Sequence, residues 1–390
     1  MQKKIIALAV AALASSAAFA QSNVTVYGIA DVGQAFVKSS GAANGVNQGT
    51  VGRLDSNSSY LGFKGVEDLG NGLKALFQFE TGFAADKGFW SSTATSGRDS
   101  YVGLTSNFGT VLAGNLTHPL RGMAVRTELL PAAAGLGVTQ SVLGTVAVPT
   151  LHGGTVRTGA DDRAANALAY VSPTFAGFSG TVAYVNGENK QNASTGTPSN
   201  VNTKAWQVYG QYENGPAYVG VGYHKAYDWA GAGAADGSVG IAAADGQNAS
   251  VWRVAGVYTF PTNTKLTALY DRTKVVDLGG NGGDDVKRTA YSLGVAQGFG
   301  KNTVGLEYAA SGKLKSAGES VDNTKVHMIT ALYTYELSKR TMLTARYSRL
   351  TNDSAVNTNF YTYNNPVNNG VSTGAGSDYT GYMVGLRHAF

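Results

Sequence analysis

The sequence predicts an all-β fold, and more narrowly a transmembrane antiparallel β-barrel of about 16 strands. Three observations lead to this prediction. Charged residues make up 14% of the chain, against roughly 25% in soluble domains, and the 390 residues include 52 glycines and 21 tyrosines. Segments of about ten residues alternate apolar with polar side chains. The connections between these segments are alternately short and long.

The first twenty residues have the pattern of a secretory signal peptide. Lys3 and Lys4 form a basic start, an apolar stretch follows over residues 5–13, and small residues lead to Ala20, after which we expect cleavage. A membrane anchor is the alternative, but the apolar stretch is too short to cross a bilayer core of roughly 30 Å. The predicted mature protein is a single barrel domain over residues 21–390.

Charge and cysteine content exclude several classes of function. Without the two signal-peptide lysines the chain has 28 basic residues against 25 acidic ones, a net charge of +3. This charge is small and there is no basic run, so no nucleic-acid partner is expected. The chain has no cysteine, which rules out disulfides and thiol nucleophiles. The five histidines lie far apart in the sequence, and we predict no cofactor, no metal site and no enzymatic activity.

Residues 73–80 illustrate the alternation. One face carries Leu73, Ala75, Phe77 and Phe79, and the other carries Lys74, Leu76, Gln78 and Glu80. Because successive side chains of a strand point to opposite sides, this segment has one apolar face and one mostly polar face. No run of about 18 apolar residues follows the signal peptide, so no transmembrane helix is predicted. A soluble β-sandwich also alternates, with its apolar face inward.

Aromatic residues and connection lengths favour a membrane barrel over a sandwich. Tyr27, Tyr170 and Tyr258 lie near segment ends, where a membrane-interface girdle holds aromatic rings. Short turns such as residues 67–72 alternate with long polar stretches such as residues 229–248. Short turns on one side of the membrane and long loops on the other are typical of outer-membrane barrels.

The alternation defines sixteen strand cores, an even number that suits a bacterial barrel wide enough for an aqueous channel. In chain order they are residues 24–37, 58–66, 73–83, 98–105, 110–115, 163–171, 178–186, 205–213, 217–227, 250–260, 265–274, 287–299, 303–310, 326–337, 341–350 and 379–390.

Several motifs along the chain match one known family. The most specific is the run Leu-Gly-Phe-Lys-Gly-Val-Glu-Asp-Leu-Gly-Asn-Gly-Leu-Lys-Ala at residues 61–75. Further matches are residues 24–31, 101–104, 108–110, 170–173, 337–341 and 385–390. Together these segments resemble the Gram-negative general porins, in particular the trimeric porins of β-proteobacteria. The resemblance extends from the first strand to the last residue, and the long loops match little.

The resemblance implies a general diffusion porin that passes small hydrophilic solutes and ions across the outer membrane. It implies a homotrimer of sixteen-stranded barrels in which the third loop folds into the lumen and narrows the pore against basic wall residues. It also implies that Phe390 is the recognition signal for the barrel-assembly machinery. The expected surroundings are the lipid bilayer and lipopolysaccharide.

The long interval over residues 116–162 is the predicted constriction loop. It lacks strand periodicity but carries apolar residues, among them Met123, Leu136 and Leu143, which indicate a packed insertion. So long a structureless segment is uncommon in a compact domain unless it has a function. Residues 120–143 are expected to form the constriction itself.

The resemblance and strand parity together select the residues expected to line the constriction. They are Arg98, Tyr60 in place of a usual arginine, Lys64, Lys74 and Arg163 on the wall, and Arg121, Arg126 and Glu128 on the loop. The Asp-rich loop pattern of the family is missing. Fixed positive charges in a narrow channel concentrate anions, so a weak to moderate anion preference is expected. Alternatively, Arg121 and Arg126 are solvated or paired with Glu128.

Three other functions stay open from the sequence. A substrate-specific channel requires an aromatic or binding ladder along the lumen, whereas parity places most tyrosines outside. A barrel hydrolase requires a clustered Asp/His or Ser/His set at one rim, and the sequence offers none. A surface adhesin would use the long loops, as a porin also can.

Overall fold

The computed structural model describes residues 24–87, 96–148, 154–188, 190, 200–231, 241–280, 282–361 and 373–390. The predicted signal peptide lies outside the described residues. In chain order the strands are β1 (Thr25–Ser40), β2 (Val51–Ser56), β3 (Tyr60–Gly70), β4 (Leu73–Gly82), β5 (Ser96–Ser106), β6 (Gly109–Thr117), β7 (Thr145–Val148), β8 (Gly154–Arg157), β9 (Arg163–Val171), β10 (Phe178–Val185), β11 (Lys204–Asn214), β12 (Ala217–Tyr227), β13 (Asn248–Thr259), β14 (Thr264–Val276), β15 (Val286–Phe299), β16 (Asn302–Ser311), β17 (Lys315–Ser316), β18 (Glu319–Ser320), β19 (Val326–Ser338), β20 (Thr341–Asn352) and β21 (Asp378–Ala389).

The strands form a closed antiparallel barrel. Each wall strand pairs with the next one along the chain, and β1 pairs with β21 from Ile29–Ala389 to Ser40–Asp378. Beyond the strand end, the amide of Gly28 donates to the Phe390 carbonyl at 3.2 Å and the Phe390 amide donates to Gly28 at 3.1 Å. Both β2 and β3 pair with β1, on successive parts of its length, so together they make one wall strand. Sixteen wall strands result, which confirms the predicted barrel.

Connection lengths alternate around the barrel as predicted. Tight turns join β3 to β4, β11 to β12 and β13 to β14, among others, and they lie at the same end of the barrel as Phe390. Asn71 and Asn263 adopt the left-handed backbone in two of these turns, with φ of 52° and 61°, a conformation that asparagine tolerates better than most residues. The long connections all lie at the opposite end, which is the outer-membrane arrangement.

The wall turns its apolar face outward. On β13, Trp252 and Val254 are 54% and 46% exposed, while Arg253 between them is 0% exposed. A sheet whose apolar side chains face outward and whose charged side chains face inward suits a lipid surround and a polar lumen. The soluble sandwich, which has its apolar face inside, is thereby excluded.

The third long connection folds into the barrel. It contains helix α1 (Pro119–Thr127), two 3-10 turns (Pro131–Ala133 and Thr139–Ser141) and the hairpin of β7 and β8. Leu120, Met123, Leu136 and Leu143 of this loop are fully buried and share one apolar cluster with wall residues. The predicted inward-folded third loop is confirmed, and its apolar residues pack against the lumenal side of the wall.

Strand bounds agree closely with the sequence prediction. Arg163–Val171 and Ala217–Tyr227 match it at both ends. The difference lies near the start, where Val51–Ser56 is a strand although the predicted strands 24–37 and 58–66 exclude the whole segment. Its apolar–polar alternation is short, and its pairing with β1 supplies the order that the local sequence does not specify.

Candidate functional site

A fully buried arginine anchors the third loop to the wall. On β13, Arg253 donates through Nη2 to Asp161 at the end of the loop and through Nε to Asp271 on β14, each at 2.7 Å. Its Nη1 also donates to the Leu120 carbonyl at 2.7 Å. The Gly144 amide donates to Asp271 at 2.8 Å. Leu120 lies near the start of the third loop and Asp161 near its end. One wall arginine therefore holds both ends of this loop through charge-assisted hydrogen bonds.

Other inward wall residues hold the loop through its carbonyl groups. Arg346 on β20 donates to the Ala134 carbonyl at 2.9 Å, and Arg288 on β15 donates to the Val142 carbonyl at 2.9 Å. The Thr330 hydroxyl donates to the Gly137 carbonyl, also at 2.9 Å. These contacts span the wall from β13 to β20, so the loop is fixed along one side of the lumen.

Two buried carboxyl groups meet where the loop contacts β16. Glu128 accepts hydrogen bonds from the amide and the hydroxyl of Thr139, each at 2.8 Å. The side chain of Glu307 lies within hydrogen-bonding reach of Glu128. Neither Glu307 oxygen has a well-aligned hydrogen bond within the described part of the chain, and the backbone amide of Leu129 is a nearby donor. The positive charge of the nearby Lys265 attracts both carboxyl groups electrostatically.

The other side of the lumen, formed by the first strands, carries ion pairs. Arg98 on β5 donates to Glu80 on β4 at 3.0 Å, and its guanidinium lies 4.2 Å from the centre of the Tyr60 ring. Glu80 also accepts hydrogen bonds from the Tyr27 hydroxyl at 2.8 Å and the Gln78 amide at 3.0 Å. The Glu80 carboxylate is therefore held by several partners, as the Arg98 guanidinium is.

The pattern of paired charges continues on both sides of Arg98. Arg163 donates to Asp99 at 3.1 Å, and Thr117 donates to the same carboxylate at 2.7 Å. Arg387 on β21 contacts Asp31 on β1 at 3.2 Å. Arg98 and Arg387 each face an acid on the neighbouring strand, and Arg163 reaches Asp99 across β6. The paired acids weaken the field that each arginine contributes to the lumen.

The structure places the remaining predicted residues as follows. Arg126 on α1 donates to Glu213 at 2.6 Å and is 43% exposed, whereas the buried Arg121 donates to the Asp161 carbonyl at 2.6 Å. Glu128 binds Thr139 and pairs with neither arginine. Lys64 lies 4.9 Å from the Tyr27 ring centre. Lys74 is exposed near the β3–β4 turn, opposite Asp68.

Sequence reasoning missed the acidic partners. It looked for acids on the loop, whereas Glu80, Asp99 and Asp31 come from the wall strands. A partial signal was present, since Glu80 falls on the polar face of residues 73–80. The role of Arg253 as the anchor of the loop was also missed. Strand alternation predicts that its side chain points into the lumen, but it does not reveal which loop residues that side chain contacts.

Two titratable loop residues have shifted pKa values. Burial lowers the pKa of His118, although its Nδ1 lies 2.8 Å from the Gly159 carbonyl, an interaction that favours the protonated form. The hydrogen bond to Glu213 raises the pKa of Arg126. At neutral pH, His118 is therefore an uncharged residue packed at the start of α1, and Arg126 is a permanent cation.

None of the described helices is long and apolar enough to cross a membrane. Within the described ranges, no group of three or more His, Cys, Asp or Glu side chains is placed to hold a metal ion.

Comparisons with known proteins agree with this architecture. The sequence profile of a family described as "Gram-negative porin" matches residues 7–355. Outer membrane porin protein 32 of Delftia acidovorans is 34% identical over 400 residues, covering 100% of both chains. Major outer membrane protein P.IB of Neisseria gonorrhoeae is 29% identical, covering 87% of this chain and 91% of that protein. The solved structure of an anion-selective porin from Comamonas acidovorans superposes with a TM-score of 0.71 at 28% identity, covering 95% of this chain and 100% of that one.

Proposed function

The chain belongs to the Gram-negative porin family and lies in the outer membrane, and on that premise we propose that it is a general diffusion porin for small hydrophilic solutes and ions. The observation that carries the proposal is the third loop, which is fixed inside a closed sixteen-stranded barrel by Arg253, Arg288 and Arg346. A loop held along one side of the lumen narrows the passage without filling it.

The passage runs between the loop and the ion-paired wall of the first strands. Arg98, Tyr60 and Arg163 supply its wall groups, and Arg126 supplies an exposed cation on the loop. Lys64 and Lys74 lie towards the turn end of β3 and β4 and add positive charge at that entrance. Hydrated ions keep their water in such a passage, because the wall and loop residues that the structure describes supply no ring of carbonyl groups to replace the hydration shells.

We infer a weak anion preference from two arginines of the wall that lie beneath the third loop. Arg288 and Arg346 are buried, bind loop carbonyls and form no ion pair with any residue in the described ranges. Nearby acids, Asp271 for Arg288 and Asp31 for Arg346, act on these charges through space without a contact ion pair, so part of the positive field reaches the lumen. The paired arginines of the opposite wall add little. The solved relative described as anion-selective has the same fold.

Assembly partners complete the proposal. The protein forms a homotrimer in a bilayer that contains lipopolysaccharide, and Phe390 is the signal read by the barrel-assembly machinery. Phe390 ends the closing strand, and its ring packs on Gly28. A Phe390→Ser variant is expected to reach the outer membrane in smaller amounts while conducting normally once refolded in detergent.

Planar-bilayer recording tests the proposed function. Purified protein is expected to give ohmic single-channel steps and a reversal potential in a potassium chloride gradient that favours chloride. The preference should decline as the salt concentration approaches 1 M, where the screening length is about 3 Å. Protein that inserts into bilayers and gives no conductance would contradict the proposal, and a potassium preference would contradict its anion component.

A further inference from the structure

The lumenal wall has an apolar patch that a general water-filled passage does not require. On β6, β9 and β10, the inward side chains of Leu116, Ala167, Ala169 and Ala183 form one cluster, with Leu112 packed against it. Lumenal positions of a channel barrel are normally polar. Elsewhere in this lumen, apolar wall residues such as Val251 and Leu269 pack against the apolar side of the third loop, whereas this patch has a cavity beside it.

The cavity beside the patch has a volume of about 340 Å³, within the size range of small-molecule sites. Its other lining groups are polar and include Arg126 on the loop, Tyr101, Tyr209 and Gln211 on the wall, and Asp99, whose carboxylate pairs with Arg163. A small solute here would therefore contact alkyl groups on one side and hydrogen-bonding groups on the other. This two-sided lining suits a solute with an apolar body and a polar head.

Arg126 determines the charge of that head. Its guanidinium is 43% exposed, donates one described hydrogen bond, to Glu213 at 2.6 Å, and lies 4.8 Å from the Tyr218 ring centre. A guanidinium has five N–H donors in a planar fork that matches a carboxylate. The tyrosine ring and Glu213 fix its orientation, so the remaining donors are presented without much loss of side-chain freedom.

We propose that this cavity is a binding subsite for small organic monocarboxylates with an aromatic or branched aliphatic body. The inference rests on the proposed porin function and names a solute class for it. The carboxylate binds Arg126 and the apolar body lies on the alanine and leucine patch. A sugar fits less well, because its hydroxyl groups would lose hydrogen bonds to water against a surface that offers none in return.

Weak binding at this subsite assists permeation. A solute must bind well enough to enter a narrow passage and loosely enough to leave it. Burial of an apolar body adds attraction that increases with its area, so benzoate should occupy the cavity at lower concentration than acetate although both carry one negative charge. Occupancy obstructs the ion path and is therefore visible as a reduced chloride current.

The test measures the chloride conductance of the full-length protein in planar bilayers at neutral pH while benzoate or acetate is added. Benzoate should halve the conductance at a concentration at least about tenfold lower than acetate, given roughly 25 cal/mol per Å² of buried apolar surface. Equal potency of the two anions would overturn the inference. Protein that shows no chloride conductance at all would instead contradict the porin function.

Two variants separate the apolar contribution from the charge. Ala169→Ser combined with Ala183→Ser adds hydroxyl groups to the patch and should lower the benzoate-to-acetate potency ratio at least about threefold, because apolar contact area is lost. The matched control, Ala205→Ser combined with Ala296→Ser, changes buried wall alanines outside the cavity and should leave the ratio unchanged. Arg126→Gln should weaken both anions together.

The chloride conductance of each variant reports whether it has folded. A serine pair in the patch that conducts chloride and keeps the wild-type ratio would overturn the inference, as would a control pair that lowers the ratio equally.

Discussion

Arg253 on strand β13 binds both carboxylate oxygens of Asp161, at the far end of the third loop, and is itself 0% exposed. The same guanidinium binds both oxygens of Asp271 on the neighbouring strand. Charges removed from water are stable only when their partners satisfy them closely. The position of the loop therefore depends on one side chain whose loss would leave two buried carboxylates without a counter-charge.

Replacement of this arginine should destabilise the barrel and release the loop. We expect Arg253→Ala to lower the free energy of unfolding by about 3–5 kcal/mol, because removal of one partner from a buried ion pair strands the other. The measurement is thermal unfolding in detergent, followed by circular dichroism. Single-channel current should also become noisier as the loop gains alternative positions.

An exposed ion pair provides the control for that variant. Arg349 contacts Asp378 at 3.3 Å, and its side chain is 54% exposed, so Arg349→Ala should change stability by about 0–1 kcal/mol. Equal losses for the two variants would show that Arg253 does not act through burial and pairing.

Neutralising Arg98 and neutralising Glu80 should shift ion selectivity in opposite directions. Arg98→Gln leaves Glu80 without its cation and should shift the chloride-to-potassium permeability ratio towards potassium by roughly two- to fivefold, equivalent to about 1 kcal/mol in a high-dielectric passage. Glu80→Gln should shift it by a similar factor towards chloride. Reversal potentials in a salt gradient measure both. Shifts in the same direction, or no shift, would place the pair outside the ion path.

The sequence was sufficient for the wall and insufficient for the contacts of the loop. Strands such as Ala217–Tyr227 were predictable because a membrane barrel imposes a two-residue period on every segment, whatever its neighbours. The partners of the loop were not predictable, because they depend on positions across the lumen. Ala134 and Arg346, for example, are 212 residues apart in sequence.

The contacts of the residues predicted for the constriction were unpredictable for the same reason. That Arg98 and Arg163 line a constriction stays a prediction, whereas their ion pairs with Glu80 and Asp99 are part of the structure. Which acid each arginine faces depends on strand register, and two bulges shift the register next to Arg98 and near Arg163. Local sequence does not fix such shifts.

In the buried pair of Glu128 and Glu307, replacement by glutamine should be tolerated at Glu307 and should be destabilising at Glu128. Glu307→Gln supplies hydrogens that can reach the Glu128 carboxylate, so its unfolding temperature should equal or exceed that of the wild type. Glu128→Gln makes the same change on the partner and weakens the two charge-assisted bonds from Thr139, so it should cost roughly 1 kcal/mol. Thermal unfolding at neutral pH compares them. A larger loss for Glu307→Gln would contradict this assignment.

Acid should loosen the start of the loop through His118. Burial keeps its pKa below the usual value near 6.5, so the unfolded chain binds a proton more readily than the folded one. The contribution of neutral His118 to stability is present above about pH 6.5 and is lost as the pH falls below that value. We expect faster proteolysis of the loop at pH 5 than at pH 7.5.

A glutamine variant isolates the histidine. His118→Gln keeps a donor for the Gly159 carbonyl and has no titrating ring, so the difference in proteolysis between pH 5 and pH 7.5 should shrink. An unchanged difference would assign the acid effect to other groups.

The pairing of Gly28 with Phe390 has a consequence for damaged copies of the protein. Strand β1 lacks its second neighbour until β21 is in place, and unpaired peptide groups in hydrocarbon cost several kcal/mol each. A polypeptide interrupted shortly before β21 is therefore not a slightly smaller pore but an open sheet with two unsatisfied edges. Nonsense and frameshift mutations that remove the whole of β21 should consequently be as harmful to the cell's supply of channels as mutations at the very start of the gene.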